Sequence, residues 1–143
     1  MKLFALVAFV VSVFIGTSAQ AQGQAQESEA IAKAKTAAIE WLSLTDSANY
    51  GASWDSAAGL FKAAVSKASW EAAVQGVRAP LGAIKLRTLK STQFTRSLPG
   101  APDGEYVIVQ FETQFENKAS ALETVTPLKD KDGTWRVSGY FIK

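Results

Sequence analysis

The order of hydrophobic periods predicts an α+β fold, with three N-terminal helices packed on one face of a curved four-stranded antiparallel meander sheet. Two observations carry this. Apolar residues recur every three to four positions from Ser28 to Arg78, and every second position from Ile84 to the C-terminus. The boundary between the two regimes is RAPLG (Arg78–Gly82), where Pro80 cannot continue a helix and biases Ala79 away from it.

The first helix is expected from Ser28, a plausible N-cap, with Ile31, Ala34, Ala38, Trp41 and Leu42 on one face. Asp46 is placed to cap a second helix, because its carboxylate can accept orphaned amide hydrogens of the first turn. The stripe of that helix is Tyr50, Trp54, Ala57, Phe61 and Ala64 or Val65. A third starts at Ser66 or Ser69 and buries Trp70, Ala73, Val74 and Val77, with Glu71 near its positive end.

The first strand alternates Ile84, Leu86 and Thr88 against Lys85 and Arg87. LPGAPDG (Leu98–Gly104) is dense in turn residues. Glu105 to Glu116 places Val107, Val109, Phe111, Thr113 and Phe115 on one face, and Tyr106, Ile108, Gln110, Glu112 and Gln114 on the other. Ala121 to Leu128 is the third strand. After the turn KDKDG (Lys129–Gly133), the fourth sets Trp135, Val137 and Phe141 against Arg136, Ser138 and Tyr140. Helices crossing a strongly curved sheet would form a cone with a pocket at its open end.

The chain has 143 residues, and its start reads as a targeting segment. Lys2 precedes an apolar run, Leu3–Ile15, and Ala19-Gln20-Ala21 offers the small residues a signal peptidase needs. The run is short for a membrane span, which takes about 20 residues. The expectation is a secretory signal over 1–21 cleaved after Ala21, a flexible lead-in over 22–27, and one α+β domain over 28–143. Cleavage would leave 122 residues, in which 14 basic face 13 acidic. That balance, with no basic run, argues against nucleic acid as a partner. After cleavage no membrane anchor is expected, and a periplasmic or secreted location follows.

The chain contains neither cysteine nor histidine. Its core must be adequate without disulfides, and histidine or cysteine metal sites and nucleophilic triads are excluded within it. No P-loop or GxGxxG stretch occurs. No cofactor, metal or catalytic residue is expected. DKDG (Asp130–Gly133) hints at a calcium loop, but the twelfth position from Asp130 is Phe141 rather than glutamate, so it reads as a turn.

The series Trp41, Asp46, Tyr50, Trp54, Trp70, then RAPLG, then DGTWRVSGYF (Asp132–Phe141), resembles domain-of-unknown-function family 4019, a set of short exported bacterial proteins. The resemblance runs from about Ala38 to Ile142 and implies no particular activity. By analogy, the fold is similar to nuclear-transport-factor-two-like and cystatin-like domains, which host isomerases, dehydratases and binding domains alike.

Candidate ligand-binding residues are Tyr50, Trp54, Asp55 and Arg78. Tyr50 and Trp54 would wall a pocket or bury into the core. Arg78 would clamp an anion, satisfy its helix end, or pair with Asp46 or Asp55. The leading expectation is an exported, non-catalytic domain that binds a small ligand or a partner protein. Two alternatives stand beside it. One is a small proton-transfer enzyme using Tyr and Asp. The other is a scaffold or homodimer acting through the polar sheet face of Lys85, Arg87, Gln110, Glu112, Arg136 and Tyr140.

Overall fold

The computed structural model describes residues 17–143, so most of the expected signal segment lies outside the described residues. The elements run α1 (Thr17–Asp46), α2 (Tyr50–Asp55), α3 (Gly59–Ala64), α4 (Lys67–Arg78), a 3-10 turn (Ala79–Leu81), then β1 (Ile84–Thr95), β2 (Tyr106–Phe115), β3 (Lys118–Lys129) and β4 (Trp135–Ile142). The strands form one antiparallel sheet in the order β1-β2-β3-β4. The expected α+β class and meander therefore hold, with four α-helices in place of three.

α1 is 30 residues, about 45 Å long. It includes Gln22–Glu27, expected as a flexible lead-in. That stretch lacks proline and is half glutamine, a good helix former, so it extends the helix despite Gly23 while staying exposed. The later part lies against all four strands. It buries Ala30, Ala34, Ala38, Trp41 and Leu42, so that Ile31, expected on the same face, is only half-buried.

The helix ends in a Schellman motif. The Asn49 N–H reaches Leu44 O at 2.8 Å and the Ala48 N–H reaches Thr45 O at 3.1 Å. Ala48 takes the left-handed position, at φ 57°, where glycine would be unstrained. Asp46 belongs to the end of α1 and caps no helix. The N-cap of α2 is Asn49, which makes no side-chain cap bond.

The expected second helix is broken at Ser56–Ala58. Ala58 is extended, buried, and donates its N–H to Val137 O of β4 at 2.8 Å. A continuous helix would have spent that N–H internally, so pairing with the sheet edge divides the segment. α4 starts and ends as expected, but of its expected face Trp70, Ala73, Val74 and Val77 only Trp70 and Val74 are buried, and Ala73 and Val77 stay exposed. Ser66 caps it by accepting from Ser69 N at 3.2 Å, and it ends at Arg78.

Strand alternation holds on β2, where Val107, Val109, Phe111, Thr113 and Phe115 are all buried. It fails on β1 and β4, for one reason. The β1–β2 register slips between Ile84 and Leu86 and again between Leu89 and Ser91. The β3–β4 register slips between Thr126 and Pro127, where Gly139 and Val137 are the partners. Each slip is a β-bulge, and an extra residue exchanges the two faces beyond it. Arg87 and Tyr140, expected on the outer sheet face, turn inward. Leu86 and Phe141 turn outward and are 53% and 57% exposed.

Candidate functional site

Trp41, Trp70, Phe61 and Tyr140 meet in one aromatic cluster, with centroids 5.7 Å apart for Trp41–Trp70, 5.3 Å for Trp41–Tyr140 and 4.9 Å for Phe61–Trp70. Burying an indole requires a partner for its N–H. Ser53, fully buried, supplies both: Trp41 Nε1 donates to its carbonyl at 2.8 Å and Trp70 Nε1 to its hydroxyl at 2.9 Å. Trp54 donates to Val65 O at 2.8 Å and so ties α2 to the end of α3.

Beside this cluster lies a buried ionic network to which two helices and all four strands each contribute. Arg78, the last residue of α4, donates through Nη2 to Asp46 Oδ1 at 2.8 Å and through Nη1 to Thr45 Oγ1 at 3.0 Å. Arg87 of β1 grips the same carboxylate bidentately, at 2.8 and 3.0 Å, and donates through Nε to Glu123 Oε1 of β3 at 2.8 Å. Glu123 has no exposed surface. It also accepts from Thr113 Oγ1 of β2 at 2.5 Å and from the Tyr140 hydroxyl of β4. Arg78 Nη1 stands 4.0 Å from Glu123 Oε2.

Two cations and two carboxylates thus cancel. The guanidiniums also stack, Arg78 over Phe115 at 5.1 Å and Arg87 over Phe111 at 5.9 Å. Burial opposes charge on both arginines, but the hydrogen bonds they donate to Asp46, and for Arg87 also to Glu123, hold both above the usual guanidinium value. Burial raises the Tyr140 hydroxyl well above a normal phenol, and the neighbouring Glu123 charge adds to it. Arg78 Nε is buried without a hydrogen-bond partner among the described residues. Chemically, the arrangement can lock helix ends onto the sheet. Its carboxylates are occupied by arginine.

The structure does not gather the four predicted site residues into one place. Tyr50 and Trp54 pack against the core from α2. Asp55 faces solvent and pairs with Lys67 at 2.8 Å. Arg78 alone enters the network, through the Asp46 pairing that was one of its expected roles. Thr45, Arg87, Thr113, Glu123 and Tyr140 were missed as a group. One signal was present: Glu123 sits in phase with Ala121 and Val125 on a strand, and a carboxylate on an apolar face needs a buried cation.

The matched stretch of chain spans these elements. A family model described as "Protein of unknown function (DUF4019)" matches residues 37–140. The chain belongs to this family. No curated protein and no solved structure matches it. In this DUF4019 chain the match runs from α1 through Tyr140 and takes in every residue of the network.

Clefts lie elsewhere. The largest described, about 690 Å³, is bounded by α3 (Gly59, Leu60, Ala63), the β1–β2 loop (Pro102, Asp103, Gly104) and the β3–β4 turn. Tyr106 and Leu128 form its floor. Tyr106 lies on the outer sheet face yet is buried, because the loop folds over it and Pro102 O accepts its hydroxyl at 2.6 Å. In the DKDG turn, Arg136 holds Asp130 at 3.1 Å and Asp132 at 2.8 Å, as a turn would. No group of three or more acidic ligands suited to a metal occurs among the described residues.

Proposed function

We propose that this chain is an exported, periplasmic, non-catalytic domain that binds a small amphipathic molecule at the end of its sheet. One observation carries the reading. The helix–sheet interior is filled by core and by a self-neutral network, whereas the cleft under α3 is open at about 690 Å³. That volume lies in the range of small-molecule sites, and its lining includes the apolar Leu60, Ala63 and Leu128 and the ring of Tyr106. Its rim carries Asp103 and Lys131, opposite charges that form no ion pair among the described residues. An apolar body with a polar or charged head matches this lining.

The test is a titration of the mature protein with anilinonaphthalene sulfonate, an amphipathic fluorophore. Saturable enhancement is expected, weakened at least about tenfold by Ala63→Trp, which fills the cleft from an exposed position. Enhancement indifferent to Ala63→Trp would overturn the reading. Export is tested separately, by N-terminal sequencing of the protein from a periplasmic extract. Gln22 is the expected first residue, and Met1 would refute the signal.

The proton-transfer alternative loses support because Tyr50 packs against the core whereas Asp55 is paired with Lys67 at the surface. The sheet-face alternative loses Arg87 and Tyr140 to the interior.

A further inference from the structure

The two edges of the sheet are treated in opposite ways. An open edge presents unpaired N–H and C=O groups and invites another strand. β1 discourages this with two bulges, which fall at Lys85 and Lys90. The first half of β4 is covered where Ala58 N–H meets Val137 O at 2.8 Å. The second half of β4 has no such cover among the described residues.

Leu122 and Lys143 exchange both backbone bonds, at 2.8 and 3.1 Å. Alternation along an antiparallel ladder then turns the N–H and C=O of Ile142 and Tyr140 away from β3. Neither has a backbone partner on that side among the described residues. Facing them across a groove of about 300 Å³ is α4, presenting Trp70, Val74 and Val77. Tyr140 comes from the inner face and Phe141 from the outer, yet both line the groove, so it runs along the edge itself. Val77 and Phe141 are 46% and 57% exposed. The Tyr140 side chain is pinned by Glu123, which sets this edge in place before any partner arrives.

We propose that Tyr140–Ile142 and the facing side of α4 form a docking groove for an extended apolar segment of a protein partner. The segment adds as a fifth strand beside β4. Three residues of strand span only about 10 Å. A stable dimer buries about 800 Å² per partner. A second copy would bring its own α4 alongside its β4, and the three edge residues Tyr140–Ile142 are too short a ladder to seat both. The lining is uncharged, and exposed Lys143 follows Ile142 without an ion pair among the described residues. The groove therefore complements alternating apolar residues flanked by an acidic one. This surface is separate from the cleft under α3, so either reading can fail alone.

The probe is the peptide acetyl-Thr-Val-Thr-Val-Asp-amide, titrated into nitrogen-15-labelled mature protein to about 5 mM, a range that captures weak strand addition. The expected result is amide shifts centred on Tyr140 and Ile142 with slowed exchange of those amides. Val77→Glu and Phe141→Ser, both at exposed positions, should each weaken binding at least about fivefold with circular dichroism unchanged. Replacing the peptide's aspartate by lysine should weaken it further. No shifts, shifts confined to other residues, or binding unchanged in both variants would overturn the proposal. So would a dimer by light scattering that Val77→Glu dissociates, since the groove would then belong to a second copy.

Discussion

The helix–sheet interface has two halves built by different physics. Toward its N-terminal side α1 meets the sheet through small and aliphatic residues, Ala34 and Ala38 over Val107, Val109, Val125 and Val137, all essentially without exposed surface. At its C-terminal end the same helix meets the same sheet through Asp46, Arg78, Arg87 and Glu123. The first half is held by area removed from water, is non-directional and tolerates volume-conserving change. The second depends on every partner being present, because a buried charge stripped of its counter-ion is costly. Fold stability in this protein therefore rests on one tolerant region and one intolerant region, joined by Trp41, Leu42 and Thr45.

The sharpest way to break that comparison is Glu123→Ala. It leaves Arg87 and Tyr140 facing a void and should destabilise by about 3–5 kcal/mol, read by urea denaturation. Replacing Arg87 and Glu123 together by leucine keeps the Arg78–Asp46 pair and should recover much of that loss. If the double variant is as unstable as the single, the network is more than a cancelled set of charges. In the apolar half, Leu42→Ala should cost about 2–4 kcal/mol with no such rescue by a second substitution.

Tyr140→Phe is a smaller perturbation, expected to cost about 1–2 kcal/mol because Glu123 loses a donor. It also carries a pH signature. Unfolded tyrosine titrates near pH 10, whereas burial and the Glu123 charge keep the Tyr140 proton on in the folded protein. Above about pH 10 the unfolded state then binds fewer protons than the native state, and stability falls as pH rises. The variant should lose that part of the alkaline decline. A decline identical in both proteins would show that Tyr140 is not the group responsible.

Ala48→Gly should stabilise by about 0.5–1 kcal/mol, by relieving the left-handed residue behind Asp46 without touching the network. The smallest effect belongs to the surface. Lys67→Ala breaks a pair whose side chains are 44% and 56% exposed, and should leave the urea midpoint essentially unchanged. A large loss there would erase the distinction between exposed and buried pairs on which the comparison rests.

Residue patterns alone determined the α+β class, the helix stop at Arg78, the strand positions and the buried face of β2. Each follows from a local property: period, proline geometry, or turn composition. They also set Ala34, Ala38, Trp41 and Leu42 on the face that meets the sheet. What they did not determine was which way Arg87 and Tyr140 point. Period 2 carries the face assignment only while the ladder is regular, and one extra residue reverses it. Whether a bulge forms at Lys85 or near Gly139 depends on the partner strand's register and on what the inner face must satisfy. Here that face holds Glu123 and meets Asp46 at the end of α1, carboxylates that demand donors. The break at Ser56–Ala58 has the same origin, since Ala58 leaves the helix to meet Val137 of a strand nearly 80 residues onward. Local chemistry chose the elements. Long-range charge and hydrogen-bond satisfaction, which no window of sequence contains, decided how the faces of the first and last strands and the helix break were set.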